Sequence, residues 1–187
     1  MELLIEVRWH GRGGQGIVTV SRLLAQAALL DGKYVQAFPE FGPERRGAPV
    51  TGYTRISDEP IFLHSQIYNP NIVVVVDPTL IGRVNVTAGL APKGFIVANS
   101  ERKPEELREI LSVKDASVYT VNATKIALEV LGRPIYNTAM LGALLKAAPL
   151  TTMDSLIKVI SERFPGAVGE KNIAVIKRAY EEAVGVE

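Results

Sequence analysis

Leu3-Leu4-Ile5-Glu6-Val7, then Arg8-Trp9-His10-Gly11-Arg12-Gly13-Gly14-Gln15-Gly16, then Ile17-Val18-Thr19-Val20-Ser21-Arg22-Leu23-Leu24 decide how this chain is read. The first five residues are a short apolar run that reads as a strand. The glycine-rich segment from His10 to Gly16 reads as a flexible turn. Ile17, Val18, Val20, Leu23, Leu24, Ala27, Ala28 and Leu30 follow as a helical apolar run, with Arg22 and Gln26 on its wetter side. Asp31-Gly32 closes the helix, because glycine accepts the left-handed backbone that follows a helix C-terminus. A strand, a glycine elbow and a helix in this order open an α/β fold.

Working outward, Lys33 to Phe38 is a second strand and Val50 to Ile56 a third. The short turn Ser57-Asp58-Glu59-Pro60 leads to Ile61-Phe62-Leu63 and implies an antiparallel hairpin. Ile72 to Val76 is apolar on both faces, as a buried central strand requires, and stops at Asp77-Pro78. Gly94 to Ala98 and Ser117 to Val121 repeat the pattern and end in Asn99 and Asn122, with a crossover helix from Pro104 to Val113 between them. After Val121 the pattern turns helical: Ala123 to Leu131, Thr138 to Ala148, Thr152 to Phe164 and Glu170 to Val184, with Thr151 and Asp154 spaced as a capping box. The expected fold is α/β: a three-layer α/β/α sandwich with a mixed, mainly parallel sheet and a helical C-terminal third. At 187 residues, against about 150 for one domain, residues 1–187 read as a single domain.

Composition narrows the function. Lys and Arg total 21 against 20 Asp and Glu, a net charge of +1 with no basic block, which argues against nucleic-acid binding. Cysteine is absent and histidine occurs twice, at His10 and His64, so this chain supplies no thiolate for an iron–sulfur cluster and a scant set of metal ligands. No stretch approaches the roughly 20 apolar residues of a membrane span, and the N-terminus lacks the features of a secretory signal, so the expected location is cytoplasmic.

Gly11, Gly13 and Gly16 satisfy G-x-G-x-x-G between a strand and a helix. One reading is an anion site, in which backbone N–H groups at the helix start face a phosphate or carboxylate. The other is a tight turn that needs glycine for steric reasons. A dinucleotide site also needs an acid ending the second strand, about 20 residues on, where this chain reads Gln36-Ala37-Phe38-Pro39. That weakens a free-standing nucleotide-binding, Rossmann-like oxidoreductase, which stands as the alternative. Phe38 to Pro49 combines three prolines, two Phe and the pair Arg45-Arg46, and reads either as a recognition surface or as a connection whose Phe residues fill the core. His10, at the end of the first strand, can orient an anion or cap the turn. Asp77, Asn99 and Asn122 belong on the same edge if their strands run parallel to the first, the two Asn residues equally as helix caps. With no nucleophile–base pair evident, no catalytic residue is assigned and the chain reads as a binding subunit.

Three blocks together are diagnostic: Val7 to Gly16; Gln36-Ala37-Phe38-Pro39-Glu40-Phe41-Gly42-Pro43-Glu44-Arg45-Arg46-Gly47-Ala48-Pro49-Val50; and Ser65-Gln66-Ile67-Tyr68-Asn69-Pro70. With Asp77-Pro78-Thr79-Leu80, Asn137-Thr138-Ala139-Met140 and Gly169-Glu170-Lys171-Asn172, they make the chain closely resemble the gamma chains of the 2-oxoacid:ferredoxin oxidoreductases, the pyruvate enzymes in particular. The resemblance implies a non-catalytic subunit of a hetero-oligomer that makes acyl-coenzyme A and CO2 while reducing ferredoxin. Its partners would be alpha, beta and delta-type subunits. Thiamine diphosphate, Mg and the iron–sulfur clusters would lie on those partners, with coenzyme A as co-substrate of the complex. The resemblance singles out Gly11, Gly13, Gly14, Gln15 and Gly16 as anion or coenzyme A candidates and Glu44, Arg45 and Arg46 as an interface or active-site loop. His10, Asp77 and Asn137 are secondary candidates.

Overall fold

The computed structural model describes residues 4–40 and 46–187. Its strands are β1 (Leu4–Arg12), β2 (Tyr34–Pro39), β3 (Pro49–Ser57), β4 (Ile72–Val75), β5 (Phe95–Asn99), β6 (Ser117–Val121) and β7 (Val184–Val186), in one sheet of order β2-β3-β1-β4-β5-β6-β7. β1, β4, β5 and β6 pair in parallel, β3 is antiparallel to both β1 and β2, and β7 is antiparallel to β6. β1, β2, β4, β5 and β6 thus point one way and β3 and β7 the other, a mixed and mainly parallel sheet. The helices are α1 (Ile17–Leu30), α2 (Pro104–Ile110), α3 (Ala123–Leu131), α4 (Asn137–Ala147), α5 (Met153–Arg163) and α6 (Ala167–Glu182). None is long and apolar enough to cross a membrane.

The two-faced apolarity of β4 divides the core. Ile72, Val74 and Val76 join Val7 and Trp9 under α1 and the C-terminal helices, whereas Val73 and Val75 join Leu107, Ile96 and Val118 on the α2 side. Trp9 is fully buried, and its indole N–H is satisfied by Thr54 Oγ1 at 3.0 Å, which in turn donates to the Ser21 carbonyl at 2.9 Å. On the α2 side, register places Glu6, Arg8 and His10 of β1 beside Arg55, Tyr53 and Thr51 of β3. Here two loops lie over the sheet, and buried arginines hold them. Arg8 Nη2 donates to the carbonyls of Val86 (3.1 Å) and Ala88 (2.5 Å). Arg55 donates to Ser65 O (2.8 Å), pairs with Glu6 (2.8 Å) and lies over the Phe38 ring. Phe38, half-buried, also packs against Tyr53, while Phe41 lies outside the described residues.

Four sequence expectations change. β1 continues through His10 and Gly11 to Arg12, because Gly11 and Arg12 pair with Val50 and Pro49, so the glycine elbow is only 13–16. Ile61 to Leu63 forms no strand: both edges of β3 are taken by β1 and β2, and the Ile61 and Leu63 carbonyls accept from Gln36 Nε2 instead. α6 ends at Glu182, not Val184, and the chain returns to the sheet as β7 against the open edge of β6, with Gly185 close on the Tyr119 ring. The cap of α5 is Thr152, not Thr151: its hydroxyl accepts from Ser155 N at 3.2 Å, while both threonine hydroxyls donate to Asp31.

Candidate functional site

The chain leaves β1 toward β2 on one side of the sheet and later enters β4 on the other, so the carboxyl ends of β1 and β4 flank the topological switch point, where ligands of open α/β sheets collect. The glycine turn sits there for two physical reasons. The Ile17 side chain at the start of α1 packs onto Gly11, leaving no space for a Cβ. Gly16, capping the helix, has φ +73°, a left-handed conformation that side chains resist.

A polar network fixes the turn. Gln15 Oε1 accepts from the Arg12 N–H at 2.8 Å, while Gln15 Nε2 donates to Asp77 Oδ2 at 2.5 Å and to the Tyr136 hydroxyl at 3.0 Å. Asp77 also accepts from the Thr79 N–H (2.8 Å) and hydroxyl (2.6 Å) and pairs with Arg12 Nε at 3.4 Å. Arg12 reaches Thr79 Oγ1 and the Gly47 carbonyl, and Gly13 exchanges backbone bonds with Ala48 and Gly47. Asn137 Nδ2 lies 3.4 Å from the Gly16 carbonyl, and the Arg46 side chain runs beside Gly14.

The structure therefore gathers Gly11, Gly13, Gly14, Gln15, Gly16, Arg46, Asp77 and Asn137 in one place. Glu44 and Arg45 lie outside the described residues. His10 points away from the turn, to the α2 side of the sheet, where its Nε2 accepts from Arg8 Nε at 3.1 Å. Burial, and then the Arg8 charge, pull its pKa down to about 4 against a hydrogen bond with the Val86 backbone, so it is neutral at pH 7. Asn99 ties Val76 to Thr124 and Asn122 caps α3 through Lys125 N, the helix-cap alternative in each case. Sequence reasoning missed Arg12, Thr79 and Tyr136. Arg12 lay inside the glycine motif, but nothing in the sequence reports that Tyr136, 121 residues beyond Gln15, shares its hydrogen bond.

The electrostatics qualify the anion reading. Burial alone would raise the Asp77 pKa, but bonds from the Thr79 hydroxyl, Gln15 and the Thr79 N–H, together with the Arg12 charge, outweigh it and hold the group below its ordinary value. A carboxylate that stays ionised already lies against the turn, and it opposes a second anion arriving from that side. Tyr136 is raised by burial and by the Asp77 charge, and stays protonated at neutral pH.

Fold and site define an open α/β unit whose switch point carries a charged network of Arg12, Gln15 and Asp77. The chain belongs to the pyruvate ferredoxin/flavodoxin oxidoreductase family, whose model matches residues 6–182. It is 54% identical, over 95% of its length and 96% of the relative's, to the pyruvate/ketoisovalerate oxidoreductases common subunit gamma of Pyrococcus furiosus. It is 52% identical, over 96% of its length and 96% of the relative's, to pyruvate synthase subunit PorC of Methanothermobacter thermautotrophicus. The crystal structure of pyruvate oxidoreductase subunit PORC from Thermotoga maritima superposes with a TM-score of 0.89 at 38% identity, covering 100% of both chains. The chain is thus a subunit of a multi-subunit oxidoreductase, and the free-standing Rossmann alternative is set aside.

Proposed function

We propose that this chain is the gamma subunit of a 2-oxoacid:ferredoxin oxidoreductase, with pyruvate as the leading substrate, and that it acts by assembly. In the reaction of the complex, a 2-oxoacid and coenzyme A give acyl-coenzyme A and CO2, and the electrons pass to ferredoxin. In this reading thiamine diphosphate, Mg and iron–sulfur clusters belong to alpha, beta and delta-type partners; for the clusters the reason is that thiolate ligation needs cysteine, which this chain lacks. The location is cytoplasmic and residues 1–187 act as one domain.

The observation that carries the reading is the 54% identity to a common gamma subunit over nearly the whole of both chains. A feature of the surface agrees with it. Phe62 is 82% and Tyr68 66% exposed, on a loop whose carbonyls are gripped by Gln36 and the buried Arg55. A rigidly presented aromatic is what a protein partner covers. Around the glycine turn, Arg46, whose side chain runs beside Gly14, offers a cation for coenzyme A phosphates. A common gamma subunit can serve more than one 2-oxoacid enzyme, so the substrate is set by the partners.

The test is co-expression with alpha, beta and delta-type partner subunits, followed by pyruvate- and coenzyme A-dependent reduction of ferredoxin. The complex is expected to be active and the isolated chain inactive. Full turnover by a complex lacking this chain, or turnover by the chain alone, overturns the proposal. Arg46→Ala is expected to raise the KM for coenzyme A without releasing the subunit.

A further inference from the structure

We propose that the chain carries a second binding site, for an organic anion with an apolar body, in the cavity between the starts of α4 and α6 and the end of α5. The cavity holds about 460 Å³, within the range of small-molecule sites. Its apolar wall is Leu131, Ile135, Phe164 and Val168, and Ile135 and Val168 remain substantially exposed. Its charged lining is Arg133, Arg163 and Lys171, and no Asp or Glu lines it. In a chain with 21 basic and 20 acidic residues, three cations around one cavity without an acid is a local excess that the composition does not supply.

None of the three makes an ion pair among the described residues, where other cations such as Arg12, Arg55 and Arg178 do. Arg163 is instead held over the Phe164 ring, 5.1 Å from its centre, which keeps the guanidinium at the cavity wall. The floor is already built. The Thr138 hydroxyl donates to Asn172 Oδ1 at 2.8 Å, and Asn172 Nδ2 donates to the Val168 carbonyl at 2.9 Å. With the floor groups satisfied by one another, the three cations are the groups left to recognise a head group, and the apolar wall takes the body. A carboxylate or a phosphate satisfies the same cations.

This cavity adjoins the switch-point network, where the Asp77 carboxylate lies against the turn, but none of its cations belongs to that network. It lies behind the turn, and Asn137, which reaches the Gly16 carbonyl, also lines the cavity. The inference does not depend on the subunit reading, because it concerns binding by this chain itself.

The test is calorimetric titration of the purified full-length chain with hexyl phosphate, hexanoate, hexanol and inorganic phosphate, with amide NMR to locate binding. Saturable one-to-one binding of hexyl phosphate or hexanoate is expected, about tenfold or more tighter than hexanol and inorganic phosphate. Tighter hexyl phosphate than hexanoate identifies the phosphate source, and the reverse identifies the carboxylate. The triple variant Arg133→Ala, Arg163→Ala, Lys171→Ala changes exposed residues and, apart from the Arg163 contact with the Phe164 ring, no described packing; it is expected to weaken binding about tenfold or more, with the fold retained by circular dichroism. Val168→Asp is a second, single-site variant with the same expected loss. Hexanol binding as tightly as the anions, undiminished binding by both variants, or NMR shifts centred on Gln15 and Asp77 instead of Lys171 and Asn172 would each overturn the proposal.

Discussion

Lowering the pH from 7 toward 4 asks the native protein to protonate His10, and the structure opposes it. The imidazole is 7% exposed, and its Nε2 already accepts from Arg8 Nε. A proton there would face the arginine N–H and add a second cation beside an arginine that has no described ion pair. Folding therefore holds the pKa at about 4 against the ordinary 6.5. The unfolded chain takes up this proton earlier, so the contribution to stability is complete above pH 6.5 and is lost as pH falls through that interval. At about 1.4 kcal/mol per pH unit, the full loss is about 3 kcal/mol, a large share of the roughly 5–15 kcal/mol that a folded domain has. Urea denaturation of the wild type and His10→Gln across this range isolates the term. Glutamine keeps one acceptor and one donor but does not titrate, and other acidic groups cancel between the two chains. The wild type is expected to lose about 3 kcal/mol more than the variant, and the NMR signal that disappears in His10→Gln is expected to titrate near pH 4. An imidazole titrating near 6.5, or equal acid losses in both chains, would refute the reasoning.

Three further substitutions probe the scaffold. Asp77→Asn keeps an acceptor for Thr79 but sets an amide NH2 against that of Gln15, which cannot flip without losing the Arg12 N–H. Thermal unfolding should show a loss of about 1.5–3 kcal/mol. Because the Asp77 pKa is depressed, its stabilisation is present above the ordinary carboxylate range and lost as pH falls below it, so the variant's acid limb should be flatter. Gly142→Ala drives a Cβ into the Ile176 carbonyl where α4 meets α6, and denaturation should report a cost of about 3 kcal/mol; a stabilised variant, as helix propensity alone would give, sinks that account. Asp31→Ala removes the acceptor for Thr151, Thr152 and Ser155 that ties the end of α1 to the start of α5, at an expected cost of about 2 kcal/mol by urea titration, with Asp31→Asn losing less.

Local pattern was enough where one segment's chemistry settles its own conformation. Asp31-Gly32 ends α1 as read, Gly32 taking φ +81°. The doubly apolar run at Ile72 became the central strand β4, and the helix at Ala123–Leu131 begins and ends where expected. It failed where a distant partner decided. Val184 continues an apolar helical pattern, yet the open edge of β6 draws it into β7. Thr151 with Asp154 reads as the capping box, yet Thr152 caps α5, where Asp31, 120 residues from Thr151, binds both threonines.

The α/β order, a glycine-rich turn between the first strand and helix, and the family are legible in the sequence, because each is written in residue types at short spacing, while the pairing of Gly11 and Arg12 with β3 sets where the turn begins. Only the tertiary structure decided that Asp77 and Tyr136 close over Gln15, that His10 turns to the opposite side of the sheet, and that Arg133, Arg163 and Lys171 share one cavity. Those outcomes depend on strand pairing and helix packing, which bring together residues as far apart in the chain as Gln15 and Tyr136 or assign neighbours to opposite faces by a single step along a strand.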